Sequence, residues 1–223
     1  MFEILVKKSL PSTNTYAKKL AGDGKNAVVV ALTQTRGRGR NGKKWFSPKG
    51  GLWFSVILRP KSPNLIQAIA SLAVLRSIKK LGLKPKIKWP NDVYINGRKI
   101  SGVLSESSFS GKLDYVVVGI GINANFALKM LPKELRKAST TLADEGVFIG
   151  TMELLDLVLL EIKRLLKEKK SNVIREWGKN SLNEVLLNGE RLSVCGLTKE
   201  GYLIVKDAEN KKKIVTEGDI VPT

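Results

Sequence analysis

The chain has 223 residues and no histidine. That absence excludes Ser–His–Asp triads, histidine general bases and histidine zinc sites together. There is one cysteine, Cys195, so no internal disulfide forms. Glutamine occurs only at Gln34 and Gln67. Long apolar runs are missing as well. The longest, 27–32 and 115–120, fall far short of the roughly 18 residues of a membrane helix. The N-terminal stretch is too short and mixed for a secretory signal. A soluble, cytoplasmic protein with no membrane partner is expected. Its chemistry must rest on Lys, Arg, carboxylates, hydroxyls, backbone amides or a bound ion.

What is abundant is positive charge. There are 39 Lys and Arg against 20 Asp and Glu, a net charge of +19. Such an excess implies affinity for anions: nucleotide, nucleic acid, phosphate or an acidic protein. The lysines are scattered, so most of the excess reads as a solvated, thermophile-like surface.

Periodicity divides the chain. Residues 2–7 read as a strand, and Ser12 or Thr13 caps a helix running to about Ala21. Residues 27–33 and 52–58 read as strands. Ser62 as N-cap and Pro63 at the first helical position open a helix ending near Gly82. A short strand at 86–89 stops at Pro90. Strands at 92–95 and 99–105 flank Asn96-Gly97, a two-residue hairpin signal. Residues 113–122 form another strand, and 151–169 and 171–182 read as helices. Beyond Asn188-Gly189 come short strands at 191–195, 202–206, 211–216 and 220–221. The expected fold is α+β. A mixed, mainly antiparallel sheet with helices spans 1–185, and a small SH3-like β-barrel spans 186–223.

Between two strands, 35–51 breaks the pattern with five glycines, six cations and a proline. Gly37, Gly39 and Gly42 let backbone amides approach an anion. Arg36, Arg38, Arg40, Lys43 and Lys44 supply charge, and an arginine holds a carboxylate or phosphate by two bonds. Trp45 offers a face for adenine. The bland alternatives are a flexible basic loop or an Arg–Gly RNA-binding segment. This run occurs once, between strong strands, which favours an anion-binding loop.

Two further segments stand out. In Lys88-Trp89-Pro90-Asn91-Asp92, Asn91 can present an amide to a base edge and Asp92 can help hold Mg²⁺. An ordinary turn is the alternative. Lys99 follows the hairpin turn and matters only if its strand faces the arginine loop. Gly102 hints at a close backbone approach. Gly119-Ile120-Gly121-Ile122-Asn123 lacks the third glycine and the helix of a dinucleotide fingerprint, so a Rossmann reading is rejected. The glycines either admit a ligand beneath the sheet, with Asn123 facing its phosphates, or mark a β-bulge.

These segments, with Ser12-Thr13-Asn14, carry a resemblance over nearly the whole chain. The glycine–arginine run with Trp45, the Trp-Pro-Asn-Asp turn with Arg98-Lys99-Ile100-Ser101-Gly102, and the glycine strand ending at Asn123 follow in family order. The chain resembles the biotin–protein ligases, the biotin–[acetyl-CoA-carboxylase] ligases. The motifs begin at residue 12, so the short form without a DNA-binding domain is expected.

The resemblance implies activation of biotin by ATP to biotinyl-5′-AMP. Biotin is then transferred to a lysine of a carboxylase biotin-carrier domain, with Mg²⁺ on the phosphates. It implies that Ser12, Thr13, Asn14 and Gln34 line the biotin pocket. Gly37, Arg38, Gly39 and Arg40 belong to a loop closing over biotin and adenylate. Lys99, near Gly102, contacts the biotin carboxylate. Arg38, Arg40, Trp45, Asn91 and Asn123 bind nucleotide, and Arg40 and Lys99 are the catalytic pair. Metal ligands stay open, with Asp92 the candidate, and a homodimer is expected. Pro11 departs from the acidic residue common before Ser-Thr-Asn. The rivals are a lipoate ligase, sharing the catalytic fold, and a basic nucleic-acid-binding protein.

Overall fold

The computed structural model describes residues 3–218 and 220–222. Phe2, the start of the expected first strand, lies outside them, as do Asp219 and Thr223 of the expected β-module. Seven strands form the central sheet: β1 Glu3–Leu10, β2 Ala27–Gln34, β3 Leu52–Leu58, β4 Lys86–Lys88, β5 Asp92–Ile95, β6 Arg98–Ser110 and β7 Lys112–Ile122. Their order is β1-β2-β3-β7-β6-β5-β4. β1 and β2 are parallel and every other neighbouring pair is antiparallel. The mixed, mainly antiparallel α+β fold is therefore as expected.

Each strand sends alternate residues to opposite faces. On one face, Val28, Val30, Phe54, Val56, Val116, Val118 and Ile120 join a single large core. Helices α2, Ile66–Lys80, and α4, Thr151–Leu165, close that face. α2, expected as an amphipathic helix, is buried along most of its length, with Gln67 and Arg76 half-buried and Lys79 and Lys80 exposed at its end. On the other face lies α1, Thr13–Gly22. Its Ala17 and Ala21 pack on Ala27, Val29, Ile57 and Val117. Beside α1 this face carries Ser55, Gly102, Gly119 and Gly121 instead of bulk.

Ser12 caps α1 and accepts from the Thr15 amide, as its sequence implies. The Asn96-Gly97 turn has both residues at positive φ, 48° and 73°, as a type I′ hairpin requires. α2 is a correction. Ser62 accepts from the Asn64 amide and Ile66 N–H bonds Pro63 O, so this segment is a turn and not a cap. The helix starts at Ile66 behind Leu65, which adopts φ 64° and is buried. Burying Leu65 in the core overrides the local capping signal. The expected 151–169 helix likewise ends at Leu165, and α5, Lys170–Asn180, follows, with the four-residue α3, Lys133–Arg136, earlier.

A second, antiparallel sheet of five strands follows: β8 Glu184–Leu187, β9 Glu190–Leu197, β10 Leu203–Lys206, β11 Lys212–Val215 and β12 Val221–Pro222. β8 was not expected and crosses residue 186. Val185, Leu192, Leu203 and Val205 belong to the same apolar cluster as the α2 face. Among the described residues no helix is long and apolar enough to cross a membrane.

Candidate active site

The α1 face holds a cavity of about 640 Å³. Ser12, Thr13, Asn14, Gln34, Arg38, Gly39, Arg40, Trp45, Asn91, Asp92, Lys99, Gly102 and Asn123 all line it. Gly37 does not. It sits buried at the root of the arginine loop, where its carbonyl accepts from the Trp45 amide at 2.9 Å.

The loop is ordered as a short hairpin. Gly39 N–H bonds Lys43 O at 2.7 Å, and Arg38 bridges Lys44. Asn41 and Gly42 turn it at positive φ, 53° and 71°. Its start continues the sheet: the Thr35 and Arg36 amides bond the carbonyls of Leu10 and Pro11. Pro11 thus leaves α1 undisturbed and its carbonyl pins the loop.

Glycines keep the floor open. A Cβ at Gly119 would stand 2.1 Å from Asn14 Oδ1, and one at Gly121 would stand 2.4 Å from Trp45 Nε1. β7 passes both glycines without a register shift against β3 or β6, the β6–β7 shift falling away from them at Ser108/Phe109. This discards the bulge reading and leaves the glycines as a surface on which side chains lie.

A hydrogen-bond chain crosses this floor. Gln34 Nε2 donates to Ser47 Oγ at 2.8 Å, and Gln34 Oε1 accepts from Thr13 N at 2.8 Å and Thr13 Oγ1 at 3.1 Å. Ser55 Oγ lies 2.8 Å from Thr13 Oγ1 and 2.6 Å from Asn14 Oδ1, with one proton to share. Asn14 Nδ2 donates to Leu104 O at 3.2 Å and Glu106 Oε2 at 2.8 Å. Both Nδ2 partners are acceptors only, which fixes the amide orientation.

Across the cavity, Lys99 Nζ lies 2.7 Å from Asp92 Oδ1 and 5.1 Å from the Trp45 ring centroid. The Lys99 backbone is clamped: its N–H bonds Ala138 O and its carbonyl accepts from Thr140 N–H. Trp45 packs edge-on to Trp53 at 6.3 Å. Asn91 Nδ2 donates to Val103 O at 2.8 Å, and Asn123 Nδ2 to Thr140 O at 3.0 Å. Asp92 also faces Lys88 at 3.6 Å. No group of three or more potential metal-ligating side chains occurs among the described residues. A carboxylate already shared by two ammoniums does not fit a metal site, which counts against Asp92 as a ligand for Mg²⁺.

Several residues here escaped the sequence reading. Glu106 is half-buried, and its side chain takes bonds from Asn14, Lys18 and Arg38. Burial alone would raise its carboxyl, but Lys18, Asn14 and Arg38 outweigh that and hold it below the usual range. Ser55 and Ser47 were also missed. Burial and the Asp92 carboxylate push the Tyr94 phenol, another lining group, up to about 12. The second sheet reaches the site as well: Ile220 O accepts from Lys88 Nζ at 2.9 Å and Gly201 O from Trp89 Nε1 at 3.1 Å. Strand alternation from Gly102 through Leu104 to Glu106 was a usable signal. The carbonyl contacts had none.

Comparison with known proteins agrees with this geometry. A profile of the biotin/lipoate A/B protein ligase family matches residues 6–123, just over half of the chain. The chain belongs to that family. It is 33% identical to the bifunctional ligase/repressor BirA of Bacillus subtilis over 92% of this chain and 70% of that protein. It is 44% identical to the biotin–[acetyl-CoA-carboxylase] ligase of Paracoccus denitrificans over half of each chain. A biotin protein ligase from Aquifex aeolicus, solved with biotin and ATP, superposes with a TM-score of 0.80 at 31% identity. That match covers 99% of this chain and 98% of the other. The family membership makes the chain a ligase and removes the reading of it as a non-enzymatic nucleic-acid-binding protein.

Proposed function

We propose that the protein activates biotin with ATP to biotinyl-5′-AMP and transfers the biotinyl group to a lysine of a carboxylase carrier domain. The observation that carries this reading is the convergence of the arginine hairpin, Lys99 and the glycine strand on one cavity. In the first step the biotin carboxylate attacks the α-phosphorus of ATP and pyrophosphate leaves. Two anions must meet, so fixed cations lower the barrier. Lys99, steered by Asp92 and a clamped backbone, is assigned to the carboxylate and α-phosphate. Arg40 is assigned to the opposite side.

Thr13, Asn14, Gln34 and Ser12 are assigned to the polar ring of biotin. Trp45, Asn91, Asn123 and Arg38 are assigned to the nucleotide. Mg²⁺ bound to ATP would supply neutralisation of phosphate charge, with no ligand assigned to it from the protein. In the second step the acceptor lysine attacks the carbonyl and AMP leaves. No enzyme nucleophile is needed, which suits a chain whose one cysteine, Cys195, is exposed in the second sheet.

The test is ATP–pyrophosphate exchange with biotin, with lipoate and with neither. Biotin-dependent exchange is expected, and exchange driven by lipoate would transfer the assignment to that acid. The reading also includes a cytoplasmic homodimer, which sedimentation at micromolar concentration would detect. The ligase body is assigned to the residues before β8 and the β-module to β8 onward, which moves the expected boundary at 186 back to Glu184.

A further inference from the structure

One buried-side carboxylate is left without a role in that scheme. Glu106 touches no reacting group, yet it joins three separately placed elements. Asn14 and Lys18 reach it from α1, and Arg38 reaches it from the hairpin loop with Nη2 2.8 Å and 3.0 Å from its two oxygens. Its side chain is 21% exposed, while that of Arg38 is 44% exposed. An isolated exposed ion pair contributes little. This one differs because its acid is a shared node, and a half-buried carboxylate stripped of donors is costly.

The node also closes a circuit. The loop is fastened at Ser47 through Gln34 and at Arg38 through Glu106. The hydrogen-bond chain between those points is Gln34, Thr13, Ser55 and Asn14. These two side-chain fastenings therefore run through side chains assigned to biotin, beside the backbone bonds to Leu10 and Pro11.

We propose that Glu106 is a positioning residue that latches the arginine hairpin through Arg38 and sets the Asn14 amide. Loop closure and the biotin pocket are thereby one hydrogen-bonded unit. With Glu106 holding Nδ2, Asn14 keeps its carbonyl oxygen toward Ser55 and the cavity floor. A ligand N–H then finds an acceptor already oriented. Loss of the latch frees the loop and leaves the Asn14 amide held by the longer 3.2 Å bond to Leu104 O, but leaves Lys99 and Asp92 untouched.

This inference rests on the ligase reading for its ligand and on the structure alone for the latch. The first measurement is the rate of limited trypsin cleavage within 36–44 of the ligand-free full chain. Glu106→Gln and Arg38→Gln should each speed cleavage about ten-fold. The double variant should be no faster than either single one, because both break the same link. Lys18→Gln, outside the cavity, should change cleavage less than about three-fold.

The second measurement is biotin-dependent pyrophosphate exchange. Glu106→Gln should raise the biotin KM about ten-fold with kcat within about three-fold, since glutamine disturbs orientation and not chemistry. Unchanged cleavage in Glu106→Gln, additive effects in the double variant, or a loss confined to kcat would each overturn the latch. If the wild-type chain shows no biotin-dependent exchange, the ligase reading fails. The cleavage comparison, which needs no ligand, then still decides the latch.

Discussion

The two faces of the central sheet are built from the same strands and do opposite things. Residues 54, 56, 118 and 120 send Phe, Val, Val and Ile into a continuous core under α2 and α4. Their neighbours 55, 119 and 121 send Ser, Gly and Gly toward α1 and Trp45. The first face stabilises by removing apolar area from water and tolerates no gap. The second face gives up that burial to leave a floor on which polar side chains can lie. Period-two alternation lets one strand serve stability and chemistry at once, because a residue's face is set by its parity.

The sharpest way to break the functional face is at its charge. Lys99→Ala should lower biotin-dependent pyrophosphate release by about 100-fold or more while the circular dichroism melt stays near wild type. Wild-type rates in that variant would remove Lys99 from the site. Neighbours of opposite parity come next. Gly119→Ala puts a methyl where Asn14 Oδ1 now sits and should weaken biotin binding in calorimetry by about 30-fold, the equivalent of losing hydrogen bonds to Asn14. Val118→Ala, one residue away, should leave biotin affinity within about three-fold and cost about 2 kcal/mol in a urea titration. Equal behaviour of the two variants would end the comparison of faces.

A smaller effect is expected at the loop. Arg40→Gly should release biotinyl-5′-AMP into solution about ten-fold faster than wild type, measured by chromatography of the free adenylate. Unchanged retention counts against the loop as a cover.

The smallest effect is a proton. Lys18, Asn14 and Arg38 hold the Glu106 carboxyl below its ordinary value, so the pairing is fully present above the usual glutamate range and is lost only as pH falls through the lowered value. A carboxyl NMR titration should place its midpoint below that of an unperturbed glutamate, and Arg38→Gln should move it upward. No movement in that variant would separate Arg38 from Glu106.

Local physics made much of this legible in advance. Ser12 as a cap, the Asn-Gly hairpin and the apolar strands at 27–33, 52–58 and 113–122 rest on interactions within a few residues. The site motifs were legible for a related reason: glycines and arginines concentrated in one loop have few structural uses. Ser62-Pro63 misled because a turn and a helix start share the same residues, and burial of Leu65 chose between them. β8 was missed because Glu-Val-Leu-Leu shows no period-two alternation. Glu106 was missed because its role exists only where β6, α1 and the loop meet, across separations of 68 to 92 residues.

Composition and periodicity were enough to rule out histidine chemistry, to set which residues face inward, and to mark the segments able to bind anions. Those properties follow from side-chain type and spacing, which travel with the chain in any conformation. Folding alone chose which of the many cations meet a carboxylate, which glycines lie beneath Asn14 and Trp45, and which carbonyls in the connections of the second sheet hold Lys88 and Trp89. Those pairings depend on distances between strands far apart in the chain, and such distances come into being only when the two sheets pack.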